Sequence, residues 1–191
     1  MMNIKLHLKS PWYVISILYY IFWFLCIGLA AKAWPVSAML SHFTFAVFVL
    51  MNIPYTLRRY VLSYAVIIML IGTLIDYSLW YFNIIHFPNF TLCWGIFPLW
   101  MSSLWFTLAT LLLGPFNRIL SKTPIAILLG AIGGPFSYIM GAESQAMHIQ
   151  VSSSDASLYL AIIWGLCMYG GCRVNHHIHG KILDKNLSSE L

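Results

Sequence analysis

Residues 12–31 read WYVISILYYIFWFLCIGLAA, twenty residues without a single charge. A helix of that length rises about 30 Å, the thickness of a bilayer's hydrocarbon core. Lys5, His7 and Lys9 precede it, which gives the start of the chain a superficial likeness to a secretory signal. A signal has a shorter apolar core followed by a small-residue cleavage site. Neither is present, so the stretch is expected to be a retained first transmembrane helix.

Outward from it the same pattern returns. Further apolar spans are expected at residues 36–53, 60–82, 95–113, 124–141 and 156–171. Pro54 helps end the second, and Gly114-Pro115 closes the fourth. Asn83, Pro88 and Asn89 mark a turn-rich loop after the third. Ser152 to Asp155 read as loop and N-cap before the sixth. The connections are short, so no separate soluble domain is expected.

Composition agrees with this reading. Of 191 residues, 61% are hydrophobic and 8% charged, whereas a water-soluble domain carries about 25% charged residues. Eight Trp and eleven Tyr suit a chain with two membrane interfaces to anchor. The net charge of +5 does not indicate nucleic acid, because the cations are scattered between apolar runs. Cys26, Cys93, Cys167 and Cys172 lack paired spacing and suggest neither zinc nor a disulfide framework.

The cations also orient the chain. With the N-terminus cytoplasmic, the inner segments hold Lys5, Lys9, Arg58, Arg59, Arg118, Lys122, Arg173, Lys181 and Lys185, and the outer ones only Lys32. That is the positive-inside bias at every turn. The expected fold class is therefore all-α: a polytopic membrane bundle of about six helices with both termini cytoplasmic. Residues 1–171 form the bundle and 172–191 a polar cytoplasmic tail.

Inside this apolar frame a few polar groups stand out. Asp76 lies within the third span, with Gly72 and Thr73 one turn before and Trp80 one turn after. An acid within the bilayer costs at least about 2.5 kcal/mol on insertion scales, so it normally faces protein and finds a partner. It can serve as a proton carrier, a ligand counter-ion or an acid–base group, or simply as hydrogen-bonding glue between helices. In the fourth span, Ser103, Thr107 and Thr110 share a face with Trp100 one turn earlier. These hydroxyls and the indole are expected to meet the Asp76 stripe or to pack between helices, and Trp100 and Trp105 can also be read as an interface belt or lipid contacts.

The fifth span carries Gly130, Gly133, Gly134, Pro135, Ser137, Tyr138 and Gly141. Its small face permits close helix approach, and Pro135 removes a backbone donor and favours a kink. Glu143 follows at the outer end. His42, Asp76 and Glu143 all fall in the outer half by this topology, so a shared metal site or proton relay is one arrangement to test, and coincidence of depth is the other. His176, His177 and His179 in the basic tail are expected at anionic headgroups rather than on a metal. Asn89-Phe90-Thr91 fits the glycosylation pattern but sits close to the membrane. No hydrolase, zinc-protease, phosphate-loop or dinucleotide motif is present. The two halves of the chain share no motif that would mark an inverted repeat.

Three strings carry a resemblance: Gly72-Thr73-Leu74-Ile75-Asp76, then Pro98-Leu99-Trp100-Met101 with Leu104-Trp105-Phe106, then Leu129 to Tyr138 with Gly141-Ala142. In these, over about residues 12–171, the chain resembles the domain of unknown function 2878 family of small bacterial membrane proteins. The basic tail departs from that pattern. The resemblance implies a multi-pass inner-membrane protein of no established activity, with an association to lipid-modifying enzymes such as fatty-acid cyclopropane synthases. It supports Asp76, Trp100, Gly134, Pro135 and Tyr138 as positions of interest.

The leading expectation is a non-catalytic protein that binds membrane lipids in a polar core around Asp76, or that assists a lipid-modifying membrane enzyme. No cofactor or metal is expected. The alternatives are a small proton-coupled transporter using Asp76 with Pro135 as hinge, and an intramembrane enzyme acting on lipid with Asp76 and Glu143 as acid and base.

Overall fold

The computed structural model describes residues 10–88 and 98–188, with side chains described through residue 177. The N-terminal cations Lys5 and Lys9, the Asn89–Thr91 pattern, Cys93 and the first residues of the expected fourth span lie outside the described residues. The described residues are helical almost throughout. The helices are α1 (Trp12–Ala31), α2 (Pro35–Asn52), α3 (Tyr55–Tyr81), α4 (Leu99–Leu113), the single turn α5 (Asn117–Leu120), α6 (Thr123–Glu143) and α7 (Ser153–Ser188). α1, α2, α3, α6 and residues Ser153–His177 of α7 are long and apolar enough to cross a membrane; α4 is the shorter apolar helix.

α4 is the axis of the fold. Its fifteen residues rise about 22 Å, less than a bilayer core, and nearly all of them are buried. A helix that is apolar on every side belongs inside a bundle. α2 packs on one side of it, where Phe45 and Val49 meet Leu111 and Ile15 of α1. α3 packs on another, where Val61, Tyr64 and Ala65 meet Phe106, Ala109 and Leu112. α6 and α7 form a closely packed hairpin joined to this group through α5. The outward faces of the long helices stay apolar: Leu70 is 56% exposed, Ile132 62% and Leu166 65%. An apolar surface this extensive suits contact with lipid and not water.

Helix ends follow local chemistry. Beyond α1, α3 and α6, Ala33, Asn83 and Gln145 adopt positive φ of 60°, 54° and 63°. In each case the next residue's N–H bonds back across the last turn: Trp34 to Leu29, Ile84 to Leu79 and Ala146 to Gly141. These are three copies of the Schellman arrangement, which satisfies orphan carbonyls at a helix end. All three lie on the side expected to be outer. At the opposite side the Arg58 guanidinium donates to the carbonyls of Ile53 and Met51 at the end of α2, where a cation complements the helix dipole.

Two expectations change. The loop after α3 is not wholly irregular: β1 (Ile85–His86) pairs antiparallel with β2 (His148–Ile149), Ile85 opposite Ile149 and His86 opposite His148. This ties the segments that follow α3 and α6 together. The last helix also does not stop at Gly171, since residues 172–188 continue α7. Each glycine costs a helix only about 1 kcal/mol relative to Ala, and no proline follows to end it.

Candidate functional site

Asp76 is fully buried, on the face of α3 turned to α4 and α6. Trp105 of α4 donates its indole N–H to Asp76 Oδ2 at 2.7 Å. The Tyr138 hydroxyl of α6 donates to Asp76 Oδ1. The carboxylate thus joins three helices, with a donor on each oxygen. One turn along α3, Thr73 and Ser102 share a hydroxyl–hydroxyl bond of 2.8 Å, which extends the polar seam between α3 and α4.

The seam continues as a stack of rings between two glycines. The Trp105 ring lies so close to Gly72 that a Cβ there would come within 2.1 Å of Trp105 Cδ2. Trp164 of α7 stacks on the other face of Trp105, centroids 4.4 Å apart and planes 14° from parallel. Beyond it a Cβ on Gly134 would fall 2.1 Å from Trp164 Cγ. The order is backbone, indole, indole, backbone, and each glycine stands one turn before a member of the hydrogen-bonded pair, Asp76 or Tyr138. The Trp164 N–H is buried beside the Tyr138 hydroxyl without a hydrogen bond of regular geometry.

Two grooves flank this stack, with Trp105, Trp164, Leu108, Leu112 and Met168 as their common wall. One, of about 490 Å³, runs between α1 and α6 and is bordered by Tyr20, Phe24, Gly133, Ser137 and Tyr138. The other, of about 480 Å³, runs between α3 and α7 and is almost wholly apolar. Asp76 borders neither. Its two hydrogen-bond donors do: Trp105 walls both grooves, and Tyr138 lines the first alone.

The remaining candidates are dispersed. Trp100 is buried but packs edge-on against Phe87, centroids 6.0 Å apart, so the indole on Asp76 is that of Trp105. Ser103, Thr107 and Thr110 bond to helix carbonyls, and Thr107 also to the His42 carbonyl at 3.1 Å. Thr107 thereby reaches α2, and none of the three bonds to Asp76. The His42 ring lies against the Phe22 backbone and the Tyr19 ring, its nitrogens buried without a hydrogen bond of regular geometry. Glu143 is exposed at the end of α6.

His42, Asp76 and Glu143 therefore do not share a site. Among the described residues no group of three or more His, Cys, Asp or Glu is placed to hold a metal. Gly130, Gly134 and Gly141 do pack closely, against Met168, Trp164 and Met147. Gly133 does not, since a Cβ there meets open space. α6 runs unbroken through the buried Pro135. Trp164 is the residue that the sequence reading missed. Its signal was depth: interface belts place Trp at the ends of spans, while Trp105 and Trp164 sit near the middle of theirs.

Fold and site together define a multi-pass helical membrane protein with a sealed carboxylate at the junction of three helices. The chain belongs to the family described as Protein of unknown function (DUF2878), which it matches over residues 12–169. No curated protein and no solved structure matches it.

Proposed function

We propose that this protein is a non-catalytic lipid-binding component of a bacterial inner membrane, its termini cytoplasmic, acting beside a lipid-modifying enzyme. The observation that carries the reading is the groove between α1 and α6. It combines an apolar wall with the Tyr138 hydroxyl and Ser137, and its rim residues Tyr20, Phe24 and Phe136 are exposed on the lipid-facing surface. An acyl chain would fill the apolar length, and an ester or hydroxyl of the same lipid would meet the polar wall. Pockets of this size with a few convergent polar groups are the usual form of a small-molecule site.

The other readings draw less support. A proton carrier needs Asp76 in contact with water in at least one state, and here Trp105 and Tyr138 enclose it. An acid–base pair needs two carboxyls facing one cleft, and Asp76 and Glu143 do not face one. The inner-membrane placement and the enzyme partner rest on the resemblance in sequence and on the distribution of cations.

Gly133 supplies the test, because it lines the groove and a Cβ added there meets open space. Gly133→Phe is expected to strip co-purifying lipid from the protein as read by native mass spectrometry, while Gly133→Ala retains it. Equal lipid retention by the parent and the Phe variant would dismiss the site. Co-purification of a lipid-modifying enzyme with the tagged protein tests the partnership.

A further inference from the structure

The second groove, between α3 and α7, differs in character from the first. Its length is lined by Ile67, Ile71, Leu108 and Leu166, and one end by Tyr60 and Ser63 of α3 with Gly170 and Val174 of α7. That end lies at the side where the cations gather. Arg59 stands one turn before Ser63, and Arg173 follows Gly170 by three residues, so each helix carries an arginine within about a turn of that end, beyond the lining residues themselves. Both arginines are exposed. Neither makes a hydrogen bond or ion pair with another described residue. Arg58, by contrast, is committed to the α2 carbonyls. No acid occurs in residues 53–63, 113–124 or 170–183, and the first beyond them on α7 is Asp184, about three turns past Arg173.

We propose that this groove is a site for an anionic phospholipid, with one acyl chain along the apolar wall and the phosphate between Arg59 and Arg173. The chemistry is complementary at both ends. The wall offers a chain nothing but apolar contact, and paired guanidiniums at the interface suit phosphate geometry better than a single ammonium does. Tyr60 and Ser63 sit at the depth of the ester groups. The Trp105–Trp164 wall separates this site from the α1–α6 groove, so the two are tested independently.

The experiment uses the full chain in nanodiscs of phosphatidylcholine containing a small fraction of photoreactive phosphatidylglycerol, with crosslinks located by mass spectrometry. Labelling is expected on α3 between residues 60 and 71 and on α7 between residues 166 and 174. A basic residue near an anionic lipid surface contributes enough for about a fivefold change in occupancy. Arg59→Gln or Arg173→Gln should therefore lower the labelling about fivefold, and the double variant roughly 25-fold. The double Lys variant should keep most of it. Gly170→Phe, at a position where an added Cβ meets open space, should block this groove and leave labelling along α1 and α6 unchanged; Gly133→Phe should do the reverse. The site is overturned if the double Gln variant labels like the parent. It is equally overturned if a photoreactive phosphatidylcholine labels the same residues as well, or if Arg118→Gln with Lys122→Gln lowers the labelling just as much. The arginine variants change only exposed side chains, so they remain informative should Gly170→Phe fail to fold.

Discussion

Asp76 receives one hydrogen bond on each carboxylate oxygen, from donors 29 and 62 residues further along the chain. Either donor lost leaves a fully buried acceptor unsatisfied, which costs about 1–3 kcal/mol. Within membranes the coupling of such pairs averages about 0.6 kcal/mol and reaches about 1.7. A double-mutant cycle of Asp76→Asn and Tyr138→Phe, read by reversible unfolding in detergent, is expected near that upper figure. Coupling indistinguishable from zero would mean that the pair does not hold α3 to α6. Asp76 and Tyr138 were legible in the sequence, one as the lone acid within a span and the other on the small-residue face of α6. Trp105 was not. It stands five residues from Trp100, about 140° around the helix, and only the rotation of α4 against α3 decides which indole meets the acid. That rotation is set by packing on α2, where the hydroxyl face of Ser103 and Thr107 belongs.

The seam at the level of elements is made by removing side chains, not by adding them. Gly72 on α3 and Gly134 on α6 each leave room for one face of the indole pair. Alanine at either would drive a Cβ into a ring, and overpacking of this kind costs about 1–3 kcal/mol. Gly72→Ala and Gly134→Ala should each lower the thermal unfolding temperature in detergent, whereas Gly133→Ala should leave it unchanged. If all three behave alike, the stack is not what fixes the helices. The helices themselves were largely readable. α1 has the expected ends, because Pro11 precedes it and an uninterrupted apolar run fills it. α3 begins earlier than hydropathy suggests, because Arg58 and Arg59 lower the hydropathy of its first turn while they and Leu57 are good helix residues. α7 runs on because no proline follows Gly171 and a glycine costs a helix only about 1 kcal/mol relative to Ala. Which helices are neighbours was not readable, since small-residue faces announce close approach without naming a partner.

For the whole molecule, the cations make a claim about orientation that the fold can be asked to obey. Reporter fusions after residue 188 are expected to be cytoplasmic and those after residue 149 to be external, with the β1–β2 pair on the outer side. A cytoplasmic reporter at residue 149 would reverse the assignment of both lipid grooves. Two assemblies meet in this fold, α1 to α4 on one side and the α6–α7 hairpin on the other, and the junction between them is completed last. Tyr138 is 62 residues downstream of Asp76. At ribosomal speeds of about 5–20 residues per second, the carboxylate waits roughly 3–12 seconds for its second donor. During that interval α3 is an incompletely partnered segment. Newly made chains stalled before α6 should accordingly be the ones that the insertion machinery holds longest and that quality-control proteases find first.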